Sequence, residues 1–165
     1  MNKTNKTKLP VFGIGPIFVI TCLVITICGL ALKQRGFLRS GDIAEFKMVM
    51  VAIGVILILS GIALWIKAVL LQKIGDEIKA GHLVTTGAYA IVRNPIYSAF
   101  LFVFAGVLCA ASNLYLLILP FAFWVYLTVL ICLTEEKWLK AKFGDEYTQY
   151  CSKVNRVVPR LRQSK

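Results

Sequence analysis

The chain has 165 residues, 58% of them hydrophobic, with a mean hydropathy of +0.75 and a formal net charge of +11. A soluble domain of this length is nearer about 45–50% apolar, so the composition excludes an ordinary water-soluble globule and suits one membrane domain over residues 1–165. The basic residues flank apolar stretches instead of alternating with aromatics, which argues against nucleic acid as a partner and for topology and anionic lipid headgroups.

A polar tail (1–10) precedes Val11–Leu32, 22 residues without a charge and long enough to cross a ~30 Å hydrocarbon core. A cleaved signal peptide is the alternative, since Lys3, Lys6 and Lys8 come first. The apolar length and the immediate Lys33 and Arg35 favour a retained helix. Met48–Leu71 forms a second span, with Lys67 able to snorkel at its end. Ile96–Ala111 is a shorter third. Ser112-Asn113 makes a polar break, and Leu114–Leu133 forms a fourth span with a kink expected at Pro120. The expected fold is therefore all-α: a polytopic bundle of about four transmembrane helices, five being the alternative. Gly54 and Gly61 offer small surfaces for helix packing, within or between chains.

Beyond Glu135 the pattern changes. Leu139, Phe143, Tyr147, Tyr150 and Val154 recur at helical spacing, which predicts a C-terminal cytoplasmic amphipathic helix lying on the membrane or over the polar segment before the third span. With four spans, both tails and the 72–95 segment share one side. Their basic residues outnumber Lys33, Arg35, Arg39 and Lys47 of the opposite loop, so that side is expected to be cytoplasmic. The short basic tail suits a bacterial inner membrane better than the endoplasmic reticulum. Five cysteines, Cys22, Cys28, Cys109, Cys132 and Cys151, contain no C-x-x-C pair. With one histidine in the chain, neither a metal site nor a disulfide framework is expected.

The polar run from Gly81 to Tyr97 stands out between the second and third spans. It holds the single histidine, His82, and ends in Arg93-Asn94-Pro95-Ile96-Tyr97. Pro95 suits the first turn of a helix, and Asn94 before it is a predicted N-cap. Such a helix start favours an anionic group, and Arg93 adds a cation able to grip a carboxylate or phosphate. Tyr89 and Tyr97 offer aromatic faces and hydroxyls, while Gly81 and Gly87 let the backbone approach a ligand. Each also has a structural explanation: Arg93 as a topology anchor, the tyrosines as an aromatic belt, Asn94-Pro95 as a cap alone. Glu135-Glu136, read as the C-terminus of the fourth helix, would oppose its dipole and so call for a partner, either Arg93 or a cationic ligand.

Two stretches carry a family resemblance. Leu-Val-Thr-Thr-Gly-Ala-Tyr-Ala-Ile-Val-Arg-Asn-Pro-Ile-Tyr (83–97), and Glu-Glu-Lys-Trp-Leu-Lys-Ala-Lys-Phe-Gly-Asp-Glu-Tyr-Thr-Gln-Tyr (135–150) followed by Val157-Val158-Pro159, resemble the isoprenylcysteine carboxyl methyltransferase and phospholipid methyltransferase superfamily. The resemblance implies an integral membrane enzyme that uses S-adenosylmethionine and takes a lipophilic acceptor, an isoprenylcysteine carboxylate or a lipid, from the bilayer. By position it implies that His82, Leu83, Val84, Tyr89, Arg93, Asn94, Pro95, Ile96, Tyr97, Glu135 and Glu136 line the cofactor pocket, with Arg93, Tyr97 and Glu135 positioning the reactants. The chain departs from the family where Asn94 replaces a histidine. It departs again at Ile131, which stands where isoprenylcysteine enzymes carry an arginine for the acceptor carboxylate. Two other readings remain open: an NADPH-dependent membrane reductase, and a non-enzymatic membrane protein binding lipid or a partner.

Overall fold

A computed structural model describes residues 13–69 and 82–159. The expectations for the polar tail, for Val11, Leu70, Leu71 and Gly81, and for residues 160–165 lie outside the described residues. Within them the chain forms five α-helices: α1 Gly15–Gln34, α2 Lys47–Val69, α3 Pro95–Ala110, α4 Ile118–Leu133 and α5 Glu135–Lys153.

Each helix buries one stripe. In α1 it is Phe18, Cys22, Thr26 and Gly29, while Ile17, Ile20, Val24 and Ile27 face outward. In α4 it is Phe123, Leu127 and Ile131, one turn apart. Exposed rows of Ile, Val and Phe on α1, α2 and α4 would be a liability in water and are the normal outer surface of a helix in lipid. The α3 helix lies innermost, burying Ser98, Ala99, Leu101, Phe104, Gly106, Leu108 and Cys109. Phe18, Leu101, Phe104, Leu108, Phe123, Leu127 and Ile131 meet in the main core cluster.

The α2–α3 pair is the closest in the bundle, and glycine makes it so. A Cβ on Gly54 would lie 2.6 Å from the Gly106 carbonyl oxygen, and one on Gly61 would lie 2.7 Å from that of Ala99. The two small surfaces therefore pack within the chain. Because the obstacle is backbone, Gly54→Val should destabilise the fold by about 2 kcal/mol, read as a lower unfolding temperature in detergent.

The fourth span is shorter than expected. Among the described residues only α1 and α2 are long and apolar enough to cross a membrane alone. Each of α3 and α4 has 16 residues, about 24 Å at 1.5 Å per residue. Together α4 and α5 pass the same test but are bent by 50°, so the described residues hold two spans by length and composition, or three if the bent pair counts as one. Pro120 does not kink a long fourth helix. It sits in the first turn of α4, where no intrahelical partner needs its missing N–H. Residues before it form a turn held by Asn113, whose Oδ1 accepts the Tyr115 and Leu116 N–H groups. Asn113 is fully buried and also donates to the Leu38 carbonyl (2.7 Å) and Asp42 Oδ1 (3.0 Å), while Lys33 pairs with Asp42 at 3.3 Å. This latch closes one end of the bundle. The polar run and the acidic pair gather at the other.

Candidate functional site

Contrary to expectation, Glu135-Glu136 do not close the fourth helix. The chain breaks at Thr134 (φ −122°, ψ −82°), so the two carboxylates open α5 instead of closing α4. At a helix N-terminus they favour the dipole instead of opposing it. The break turns the two side chains to different partners.

Glu136 faces inward to an ion cluster. Its Oε1 lies 3.0 Å from Arg93 Nη1 and 2.7 Å from Arg156 Nε, and its Oε2 lies 2.9 Å from Arg156 Nη2. Burial opposes ionisation of Glu136 and is the largest influence. The Arg156 hydrogen bonds and the charges of both arginines together outweigh it and hold the carboxyl below its ordinary value. Arg93 also donates to the Tyr147 hydroxyl (3.2 Å) and to the Cys151 sulfur, and its guanidinium lies 5.8 Å from the Tyr147 ring centre. The structural partner foreseen for Arg93 is thus present, in the form of Glu136.

The same contacts sew the C-terminal segment onto the polar run. The Arg93 and Asn94 N–H groups donate to the Asn155 (2.8 Å) and Arg156 (3.1 Å) carbonyls. The Asn94 side chain does not cap α3 as expected. Its Nδ2 donates to the Arg156 carbonyl at 3.1 Å, which draws the amide away from the orphan N–H groups of the helix. Pro95 occupies the first turn of α3 as predicted. Ile96 packs with Leu64, Ala68, Ala88, Val92 and Ala99. The Tyr150 hydroxyl donates to the Tyr89 carbonyl at 2.6 Å, placing the buried stripe of α5 under the run. A kink at Gly144 (φ +53°) separates the first part of α5 from the part that carries Tyr147 and Tyr150.

Glu135 faces the other way. Its Oε1 accepts the Tyr97 hydroxyl at 2.5 Å and the Ile14 N–H at 3.2 Å. Burial, with the Glu135 charge adding to it, pushes the Tyr89 hydroxyl up to about 12, so this phenol stays protonated across the physiological range. Tyr89, Tyr97 and Glu135 therefore share one neighbourhood. Val84 is buried and Leu83 half-buried, whereas His82 is exposed. Sequence reasoning missed Ile14, Tyr147, Cys151 and Arg156 as members of this constellation. Gly13 and Gly15, inside the expected first span Val11–Leu32, were the visible signal for Ile14.

Residues 47–146 match the family model for phospholipid methyltransferase. The chain belongs to the phospholipid methyltransferase family. With its apolar helices, this membership makes it a multi-pass membrane protein. A stretch of 78 residues, 47% of the chain, is 37% identical to the protein-S-isoprenylcysteine O-methyltransferase of Schizosaccharomyces pombe and covers 33% of that protein. The family match takes in α2, the polar run, α3, α4 and the first half of α5. It leaves outside α1 with the turn before it, and the segment from Tyr147 onward, which supply Ile14, Cys151 and Arg156 to the constellation.

The cofactor implied by the family, S-adenosylmethionine, carries an ammonium, ribose hydroxyls and a sulfonium. The donor set fits it. Glu135 has one oxygen held by two donors, and no donor among the described residues bonds Oε2. Two aromatic rings stand close by. Arg93 and Glu136, by contrast, pair with each other through Arg93 Nη1 and form the frame, while Arg93 Nε is buried without a hydrogen-bond partner among the described residues.

Proposed function

We propose that this chain is an S-adenosylmethionine-dependent methyltransferase acting on a lipophilic acceptor held in the membrane. The observation that carries the reading is the Tyr97–Glu135 pair, built at the start of α3 and the start of α5, both within the family-matched residues. When bound, S-adenosylmethionine supplies an electrophilic methyl group on sulfur. Glu135 accepts hydrogen bonds from the cofactor's ammonium or ribose hydroxyls, and Tyr89 and Tyr97 offer faces to its cationic centre. Leu83, Val84 and Ile96 give the pocket apolar walls, and His82 sits at its rim. Displacement at the methyl carbon asks for alignment and exclusion of water more than for proton transfer. That agrees with Asn94, a residue that cannot titrate, standing in the polar run.

The acceptor is a lipid amine, a thiol or another hydrophobic group without a carboxylate. Ile131, where relatives of the isoprenylcysteine type carry an arginine, is 1% exposed and packs in the core cluster with Phe18 and Val157. No cation stands there to receive a carboxylate. Because position 131 is closely packed, Ile131→Arg should place a charge in the core without shaping a pocket around it, and should fail to confer methylation of a prenylcysteine carboxylate, checked with a synthetic prenylcysteine and methyl-labelled cofactor. A variant that gained that activity would show the two kinds of acceptor pocket to be alike. The excess of basic residues on the side of the polar run supports a cytoplasmic site, and the short basic tail supports a bacterial inner membrane.

The deciding experiment is calorimetry on the purified protein with S-adenosylmethionine, its demethylated product and NADPH. Micromolar-range binding of the first two is expected. Lipid extracts incubated with methyl-labelled cofactor should then yield a labelled lipid. Binding of NADPH alone would replace this reading with a reductase. Binding of none of the three would leave a lipid-binding membrane protein.

A further inference from the structure

The turn that leads into α1 touches both members of the Tyr97–Glu135 pair although it lies outside the family-matched residues. The Ile14 N–H donates at 3.2 Å to Glu135 Oε1, the oxygen that also accepts the Tyr97 hydroxyl at 2.5 Å. Glycine flanks that donor on both sides. Gly13 has φ +49°, and a Cβ there would collide with Glu135 Oε1 and lie 3.0 Å from the Tyr97 hydroxyl oxygen. A Cβ on Gly15 would lie 2.9 Å from Tyr97 Cε1. The Ile14 side chain is 6% exposed and sits in the core with Phe18 and Ile131, so its N–H has a fixed direction.

We propose that Gly13-Ile14-Gly15 is a positioning element of the cofactor site. Through the Ile14 N–H it holds one oxygen of Glu135 so that the other is presented to the ligand. This rests on the reading of Glu135 as a cofactor acceptor. A carboxylate on the first residue of a helix has several rotamers and several backbone N–H groups within reach. Two donors, one from the α1 turn and one from α3, select a single arrangement before the ligand arrives. Binding then does not have to order the side chain, and affinity rises by the cost avoided. The consequence is that α1 acts in the site and is more than a membrane anchor.

The test is a thermodynamic cycle on the full chain in detergent, reading affinity for the demethylated cofactor by calorimetry. Ile14→Pro removes the N–H, and the φ of −88° at this position lies near the value proline imposes. It should weaken binding about 5-fold. Ile14→Val, which restores the N–H at similar volume, should rescue the affinity. In a Glu135→Ala background Ile14→Pro should add nothing, because the group it positions is gone. If Ile14→Pro fails to fold, Gly13→Ala replaces it in the same cycle, since its Cβ meets Glu135 Oε1. Equal losses in both backgrounds would overturn the proposal and leave the cofactor role of Glu135 intact. If Glu135→Ala itself leaves affinity unchanged, that role fails, and the positioning proposal falls with it.

Discussion

Glu135→Gln should weaken binding of S-adenosylmethionine by roughly 10- to 100-fold, the loss expected when a hydrogen bond to a charged group becomes one to a neutral amide. The amide matches the carboxylate in size and can still accept the Ile14 N–H, so the fold should survive and the loss should appear in calorimetry and not in unfolding temperature. Tyr97→Phe should cost less, within roughly 10-fold, because it removes one donor from Oε1 and leaves the acceptor in place. An unchanged affinity in Glu135→Gln would remove the central residue of the proposed site.

The largest effect on stability should come from the neighbouring residue. Glu136→Ala would leave Arg93, whose side chain is 9% exposed, and Arg156 facing each other without the anion that joins them. Removing one partner of a buried pair costs about 3 kcal/mol, which would lower the unfolding temperature on the order of 10 °C. The pH dependence has a definite sign. The carboxyl of Glu136 is held below its ordinary value of 4.5 in the folded state, so the stability it gives is complete above that pH. It should be lost as the pH falls from 4.5 through the lower folded value, and an acid-unfolding series should show that loss in the wild type and not in Glu136→Ala. A flat difference between the two across the acid range would mean that the cluster contributes nothing to folding.

The contrast between these two adjacent residues shows how far the sequence could be read. Lengths without charge located α1 and α2 well, because the membrane imposes a length that composition alone reveals. Pro95 at a helix start was equally legible, since it follows from local geometry, whereas of the expected stripe Leu139, Phe143, Tyr147, Tyr150 and Val154 only Tyr147 and Tyr150 are buried. The fourth helix ends at Leu133 as expected, but the sharp turn at Thr134 that makes Glu135-Glu136 the start of α5 was not legible. No glycine or proline marks it, and Thr134 Oγ1 donates back to the Leu130 carbonyl as it would in an unbroken helix. What separates α4 from α5 is the pull of Arg93 and Arg156 on one carboxylate and of Tyr97 and Ile14 on the other, all distant in sequence. Asn94 misled for the same reason. Local rules make it a cap, whereas its partner is a carbonyl 62 positions away. Pro120 misled because the turn before it depends on Asn113 meeting Leu38 and Asp42 from another loop.

The pairing of Arg93 and Asn94 with Asn155 and Arg156 has a consequence for the order of assembly during synthesis. The helices can insert and pack as they are made, since α2 and α3 meet through their own surfaces. The ion cluster cannot close until residues 155 and 156 have emerged and returned to a loop made some 60 residues earlier. Membrane integration and completion of the site are therefore separate events in time. A nascent chain arrested before Asn155 would already be resident in the bilayer while Arg93 still waited for half of its frame.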